Sequence, residues 1–176
     1  CYPIDVFMCQ QCGLAQLLDV IDPDVLYGDY LYVTGSSFGL SEHFEGYARN
    51  VVDRCKLPPG SLVVDLGSND GTLLRPFKKL GIKVIGVEPA PHIAAEATRN
   101  GVPTYGEFFT PELAKRIVTE HGHAKVVTAN NVFANIDELQ PWVAGVNELL
   151  AAHGVFIFES FYLADLVKNM VFDFIY

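Results

Sequence analysis

The chain has 176 residues, with 12 Lys+Arg against 21 Asp+Glu and a formal net charge of −9. Half of the residues are hydrophobic and 19% are charged, which is a globular composition and not a disordered, collagenous or disulfide-dense one. The acidic balance excludes a general binder of nucleic acid or anionic membrane, no apolar run approaches the roughly 18–20 residues of a membrane span, and no secretory pattern is visible, so a cytoplasmic location is expected.

Residues 1–40 are rich in turn formers and aromatics and carry Cys9 and Cys12. Residues 41–56 read as one helix, because Phe44, Tyr47, Ala48, Val51, Val52 and Cys55 share one apolar face. Pro58 then disfavours helical geometry at Leu57 and stops it. From Ser61 the texture alternates. Strands are predicted over 62–66, 83–88, 102–105, 125–129 and 155–159, each a short apolar or β-branched run. Helices are predicted over 72–80, 91–100, 110–121 and 138–152. Thr110-Pro111-Glu112 is a strong helix start, with a hydroxyl cap, a first-turn proline and an acidic residue at the positive end. This alternation predicts an α/β fold: a doubly wound, mostly parallel sheet of about five visible strands with helices on both faces.

Ligands of such sheets bind beyond the carboxyl ends of the strands. The first of these ends reads Asp65-Leu66-Gly67-Ser68-Asn69-Asp70-Gly71. Gly67 and Gly71 allow close approach of backbone to a ligand. Glu88 ends the second strand, 21 residues after Gly67, where a carboxylate accepts from two adjacent ribose hydroxyls. The spacing is G-x-x-x-G, not the G-x-G-x-x-G of a dinucleotide site. Asp65 and Asp70 would repel a pyrophosphate and suit a cationic or zwitterionic ligand, such as the sulfonium and amino-acid portion of S-adenosylmethionine. A nicotinamide enzyme and a ligand-free structural turn are the competing readings. The turn resembles the first motif of the Rossmann-like methyltransferases. That resemblance implies roles for Pro89 beside the acidic residue, for Glu107-Phe108-Phe109 after the third strand, where such an enzyme holds adenine, and for Asn130-Asn131 after the fourth strand, which would border the methyl donor.

Longer strings resemble one family within that class. They are Tyr2 to Leu14 with its Cys pair, Tyr27-Gly28-Asp29-Tyr30-Leu31-Tyr32, Gly67 to Gly71, Gly86 to Ala90, Glu107 to Phe109, Asn130 to Val132, and Phe172 to Tyr176. Together they are similar to the deoxysugar C-methyltransferases, which act on nucleotide-linked keto sugars. The resemblance covers essentially the whole chain. It implies S-adenosylmethionine as cofactor and a nucleotide-sugar as substrate, with no nucleic-acid or membrane partner. It implies an enolate mechanism in which Tyr30 and Tyr176 stabilise the enolate oxygen. It implies an N-terminal zinc module, with Cys9 and Cys12 matching one of its two Cys pairs, so the zinc site is half present. Where relatives carry His, this chain has Asn135, which does not titrate. His43 and His92 are read as surface residues, and Cys55 as a small buried hydrophobe. The expected division is a zinc-module remnant and loop over 1–40 and a cofactor domain over 41–176, the piece being truncated at both ends. An oxygen or nitrogen methyltransferase and a non-catalytic cofactor-binding domain are the alternatives.

Overall fold

The computed structural model describes residues 3–28 and 30–171. The expected role of Tyr176, together with Tyr2, Asp29 and the string Phe172 to Tyr176 of the family resemblance, falls outside the described residues.

The N-terminal segment is a small unit of its own. Strands β1 (Val6–Met8) and β2 (Ala15–Leu17) pair antiparallel, with Val6 opposite Leu17. A tight turn joins them, held by the Cys9 amide on the Leu14 carbonyl and the Gly13 amide on the Cys9 carbonyl. Gly13 takes the left-handed φ of +76° that this turn requires. Helix α1 (Pro23–Tyr27) follows, its first turn capped by the Asp22 carboxylate. An extended segment then leads into α2 (Leu40–Arg54), which buries Phe44, Ala48 and Val51 as the apolar spacing predicts.

The main sheet has five strands: β3 (Leu62–Leu66), β4 (Lys83–Val87), β5 (Thr104–Tyr105), β6 (Ala124–Asn130) and β7 (Leu150–Glu159). They are all parallel and lie in the order β5-β4-β3-β6-β7. Central β3 is buried at every residue, as its unbroken apolar run demands. Helices α3 (Leu74–Lys79), α4 (Pro91–Arg99), α5 (Pro111–His121) and α6 (Leu139–Leu149) are the crossovers. One core joins the sheet to α2 and α3 through Phe44, Ala48, Leu74 and Phe77. The other joins it to α5 and α6 through Leu113, Ile117, Trp142 and Leu149. The two cores on opposite faces make the doubly wound α/β architecture.

Several boundaries differ from the sequence expectation, chief among them the start of α3, the end of α6 and the start of β7. Helix α3 starts at Leu74 and not at Thr72, because the Asp70 carboxylate accepts from the Thr72 amide and hydroxyl and holds that stretch as a turn. Helix α6 stops at Leu149 and not at Ala152, because Leu150 is already extended and begins β7. The chain then loops outward, so that Leu150 pairs with Ala124 but Val155 pairs with Val126. His153 sits at φ +62° in that excursion. The β1–β2 pair and a short helix α7 (Leu163–Asn169) are additional to the sequence reading.

Phe77 is fully buried, and its ring meets Tyr47 edge-on at 6.5 Å. Phe77→Ala removes a large side chain that the two layers cannot refill, so we expect a loss of about 3–5 kcal/mol. Urea unfolding followed by circular dichroism measures it, with a substitution at exposed Lys125 as the neutral control.

Candidate functional site

The carboxyl ends of β3, β4 and β6 meet around the turn that follows β3. Three residues of this turn have left-handed φ: Gly67 at +76°, Asn69 at +50° and Gly71 at +78°. The Gly67 and Ser68 amides both donate to the Val87 carbonyl, which ties the turn to the end of β4. Glycine is required here by packing as well as by φ. A Cβ on Gly71 would lie 2.9 Å from the Val102 side chain, and one on Gly67 would collide with the Val132 methyl group.

Glu88 is the keystone of this turn. It is 4% exposed, and its two carboxylate oxygens accept from the Asn69 amide at 2.9 Å and the Ala90 amide at 3.0 Å. Burial raises its pKa, and the two amide hydrogen bonds oppose that shift. Each oxygen keeps a second lone pair for a ligand hydroxyl. Pro89 is half-buried beside it, at the entry to α4.

Asp65, on β3, is also buried, and the Thr128 hydroxyl of β6 donates to it at 2.6 Å. Burial pushes its pKa up to about 7; the Thr128 bond opposes the shift and the Glu88 charge adds to it. Asp70 faces the other way. Besides Thr72, it has the Arg75 guanidinium at 3.7 Å. Ser68 is buried over Gly86, and its hydroxyl lacks a hydrogen-bond partner.

Asn69 does something that its sequence position did not announce. Its side-chain oxygen accepts from the Thr34 amide at 2.8 Å, and its side-chain nitrogen donates to the Tyr32 carbonyl at 2.9 Å. The amide side chain is therefore spent on the segment before α2. Tyr30 lies in that segment, its ring 5.7 Å from Tyr27 and 6.4 Å from Tyr32.

The two residues that end and follow β6 differ sharply. Asn131 has φ +57°, and its side chain donates to Glu159 of β7 at 3.2 Å. Asn130 keeps both polar side-chain atoms buried with no hydrogen-bond partner among the described residues. The Tyr47 hydroxyl of α2 is buried and unpartnered in the same way, with Asn130 beside it. Burial, and then the Asp65 charge, push its pKa up to about 12, so it is a neutral hydrogen-bond donor at ordinary pH.

The remaining expected residues are placed less centrally. Glu107 is exposed and paired with Arg116. Phe108 is 38% exposed. Phe109 packs edge-on against Trp142 at 5.4 Å, within the second core. His43 and His92 are both exposed, and half-buried Cys55 packs against the α2–α3 core. Asn135 sits in a single helical turn after Val132. At the other end of the chain, the amides of Cys12 and Gln11 hold the Cys9 thiol below its ordinary pKa. Two thiols are half of a closed zinc site. Among the described residues no group of three or more His, Cys, Asp or Glu side chains could hold a metal, so Cys9 and Cys12 do not form part of the expected zinc site there. No helix of the described residues is long and apolar enough to cross a membrane.

Sequence reasoning missed Tyr47, Thr128 and the Asn69 tether. Tyr47 falls at apolar spacing beside Phe44, so the pattern counts its ring and overlooks its hydroxyl. Thr128 could have been noticed as the one hydroxyl in the run 125–129, opposite the acid of the neighbouring strand.

Comparison with known proteins agrees with this architecture. The C-methyltransferase NovU of Streptomyces niveus is 40% identical over 175 residues. That match takes in 99% of this chain but 42% of NovU, so the chain spans less than half the length of this relative. Among solved structures, the plantazolicin methyltransferase BpumL superposes with a TM-score of 0.56 at 11% identity, over 73% of this chain and 49% of that one. The precorrin-6y C5,15-methyltransferase of Geobacter metallireducens gives 0.50 at 16% identity, over 72% and 68%. Such remote structural likeness bears on the fold alone, and it is the fold of methyltransferases. A family model described as a methyltransferase domain matches residues 64–156, from within β3 to within β7. That match takes in more than half of the 176 residues, and the chain therefore belongs to the methyltransferase-domain family.

Proposed function

We propose that this chain binds S-adenosylmethionine and forms the methyl-donor part of a C-methyltransferase acting on a nucleotide-linked keto-deoxysugar. The observation that carries the reading is the acidic lining of the donor turn. Asp65 and Glu88 flank backbone that in a dinucleotide fold would face a pyrophosphate. Carboxylates there disfavour phosphate and favour a cation. The orphaned amide of Asn130 adds an unmet demand for a polar ligand at the same strand ends.

The donor, when bound, supplies an electrophilic methyl group on a sulfonium. Glu88 accepts from its ribose hydroxyls, Asp65 faces its amino-acid end, and Pro89, Glu107, Phe108 and Phe109 border the adenine. Gly67, Ser68, Asn69, Asp70 and Gly71 supply the close-approaching backbone, and Asn130 and Asn131 border the donor. Carbon methylation is supported by the 40% identity to a relative named as a C-methyltransferase. On the acceptor, a base would take the proton next to the ketone and leave an enolate, to which the bound donor would supply its methyl group with a neutral thioether as leaving group. Tyr30 donates to the enolate oxygen, and an ordinary tyrosine hydroxyl is a competent donor for it. Tyr176 is proposed for the same oxygen on the resemblance alone. In this reading residues 1–40 are a remnant of a zinc-binding module with Cys9 and Cys12, and residues 41–176 form the donor domain.

Isothermal titration with S-adenosylhomocysteine, S-adenosylmethionine and NAD tests the donor class. Binding of the two sulfur ligands without NAD is expected; binding of NAD alone would sink the proposal. Glu88→Ala should weaken S-adenosylhomocysteine binding about tenfold or more, since it removes acceptors for two hydroxyls. Unchanged affinity in a folded Glu88→Ala protein would remove Glu88 from the ribose site. Asp65 gives a pH signature. A cation beside it favours its carboxylate, so binding lowers a pKa that starts at about 7. Binding at pH 6.5 should then release protons, visible as a titration heat that changes with the buffer's ionisation enthalpy. Asp65→Asn should abolish that dependence.

A further inference from the structure

The face of the sheet turned toward α2 and α3 carries a polar group of residues at its carboxyl end. Val63 and Val126 belong to the core on that face. Alternation along the strands brings Asp65, Thr128 and Asn130 to the same side, with Asp65 and Thr128 directly opposite each other. Helix α2 adds Tyr47 from above. Its ring is held edge-on by Phe44 at 6.4 Å and Phe77 at 6.5 Å, so the hydroxyl has little freedom to turn away. The Thr128 hydroxyl is used on Asp65. Among the described residues the Tyr47 hydroxyl and both polar atoms of Asn130 are buried without a well-formed hydrogen bond, although Asn130 lies close enough to Tyr47 to oppose the rise of its pKa.

Buried polar atoms without partners are costly and rare, and three in one place mark a seat for something polar. The chemistry of the set narrows the occupant. Asn130 offers two donors and one acceptor, and neutral Tyr47 offers a donor. Asp65 offers a carboxylate beside them. Donors and acceptors side by side, with a carboxylate, fit a zwitterion: its carboxylate to Tyr47 and the Asn130 nitrogen, its ammonium to Asp65 and the Asn130 oxygen.

We propose that Tyr47, reaching in from α2, is a binding residue for the amino-acid end of the methyl donor, its hydroxyl donating to the donor's carboxylate alongside the Asn130 amide. The assignment rests on the donor reading above and extends it to a helix outside the residues 64–156 matched by the family model. Helix α2 thus becomes a wall of the donor site as well as a layer of the core.

The test compares two ligands on the whole chain by isothermal titration. S-Adenosylhomocysteine carries the amino-acid end; 5′-methylthioadenosine has the same adenosine and a thioether but lacks it. Tyr47→Phe keeps the ring between Phe44 and Phe77 and deletes only the hydroxyl. It should raise the Kd for S-adenosylhomocysteine about tenfold, as loss of a hydrogen bond to a charged group does. The Kd for 5′-methylthioadenosine should stay within about twofold, because that ligand has no group for the hydroxyl to bond. The melting temperature of Tyr47→Phe should be no lower than that of the unchanged chain. Unchanged S-adenosylhomocysteine affinity would overturn the proposal and leave the seat to water. Equal weakening of both ligands would overturn it too, by showing that the hydroxyl acts through the shape of the site. If the unchanged chain binds both ligands equally well, the amino-acid end has no seat here, while the adenosine part of the donor reading stands. If it binds neither, the donor reading falls and this assignment falls with it.

Discussion

A single buried carboxylate organises the end of the sheet. Glu88 accepts from the amide of Asn69 on one side and the amide of Ala90 on the other. It thereby joins the turn after β3 to the entry of α4, two segments that lie on neighbouring strands. The turn needs this brace. Three of its five residues, 67 to 71, have positive φ, and Asn69 among them is not a glycine. A non-glycine residue in that region is strained and persists when its surroundings hold it. Glu88 holds the main chain of Asn69, and Asn69 in turn holds the segment before α2. Loss of the carboxylate would reach Tyr32 and Thr34 through two hydrogen bonds and no direct contact.

Much of this architecture is legible in the sequence. The strands declare themselves because parallel strands buried on both faces must be apolar throughout, and the run 62–66 is. Thr110-Pro111-Glu112 declares a helix start because cap, proline and charge each meet a separate demand of the helix end. The structure satisfies this with the Thr110 hydroxyl accepting from the Leu113 amide. Boundaries set by tertiary structure are another matter. Leu150, Ala151 and Ala152 are good helix formers, yet they leave α6 because Leu150 must pair with Ala124. No local propensity contains that information.

The candidate site shows the same division. Glu88 stands where strand length and spacing put it. Asn69 and Asn131 were grouped with the cofactor residues by position along the chain, and each proves to hold protein with its side chain, the one Tyr32 and Thr34, the other Glu159. Position in a motif specifies a main-chain location. What the side chain reaches depends on segments far away in sequence. Tyr47 is the reverse case: a periodic apolar face hides a phenol whose ring packs with its neighbours and whose oxygen does not belong to the core.

The clasp of Asn69 on Thr34 joins positions 35 residues apart. A clasp of this kind closes a long loop, and loop closure costs only logarithmically more as the loop lengthens. The segment before α2 is thus tied to the glycine turn by one amide side chain. The amide proton of Thr34 is consequently a remote sensor. It lies outside the sheet, yet its hydrogen bond ends on the glycine turn, so it should exchange with solvent when that turn lets go of Asn69. Its protection reports the state of the donor turn from a position that no donor atom needs to touch.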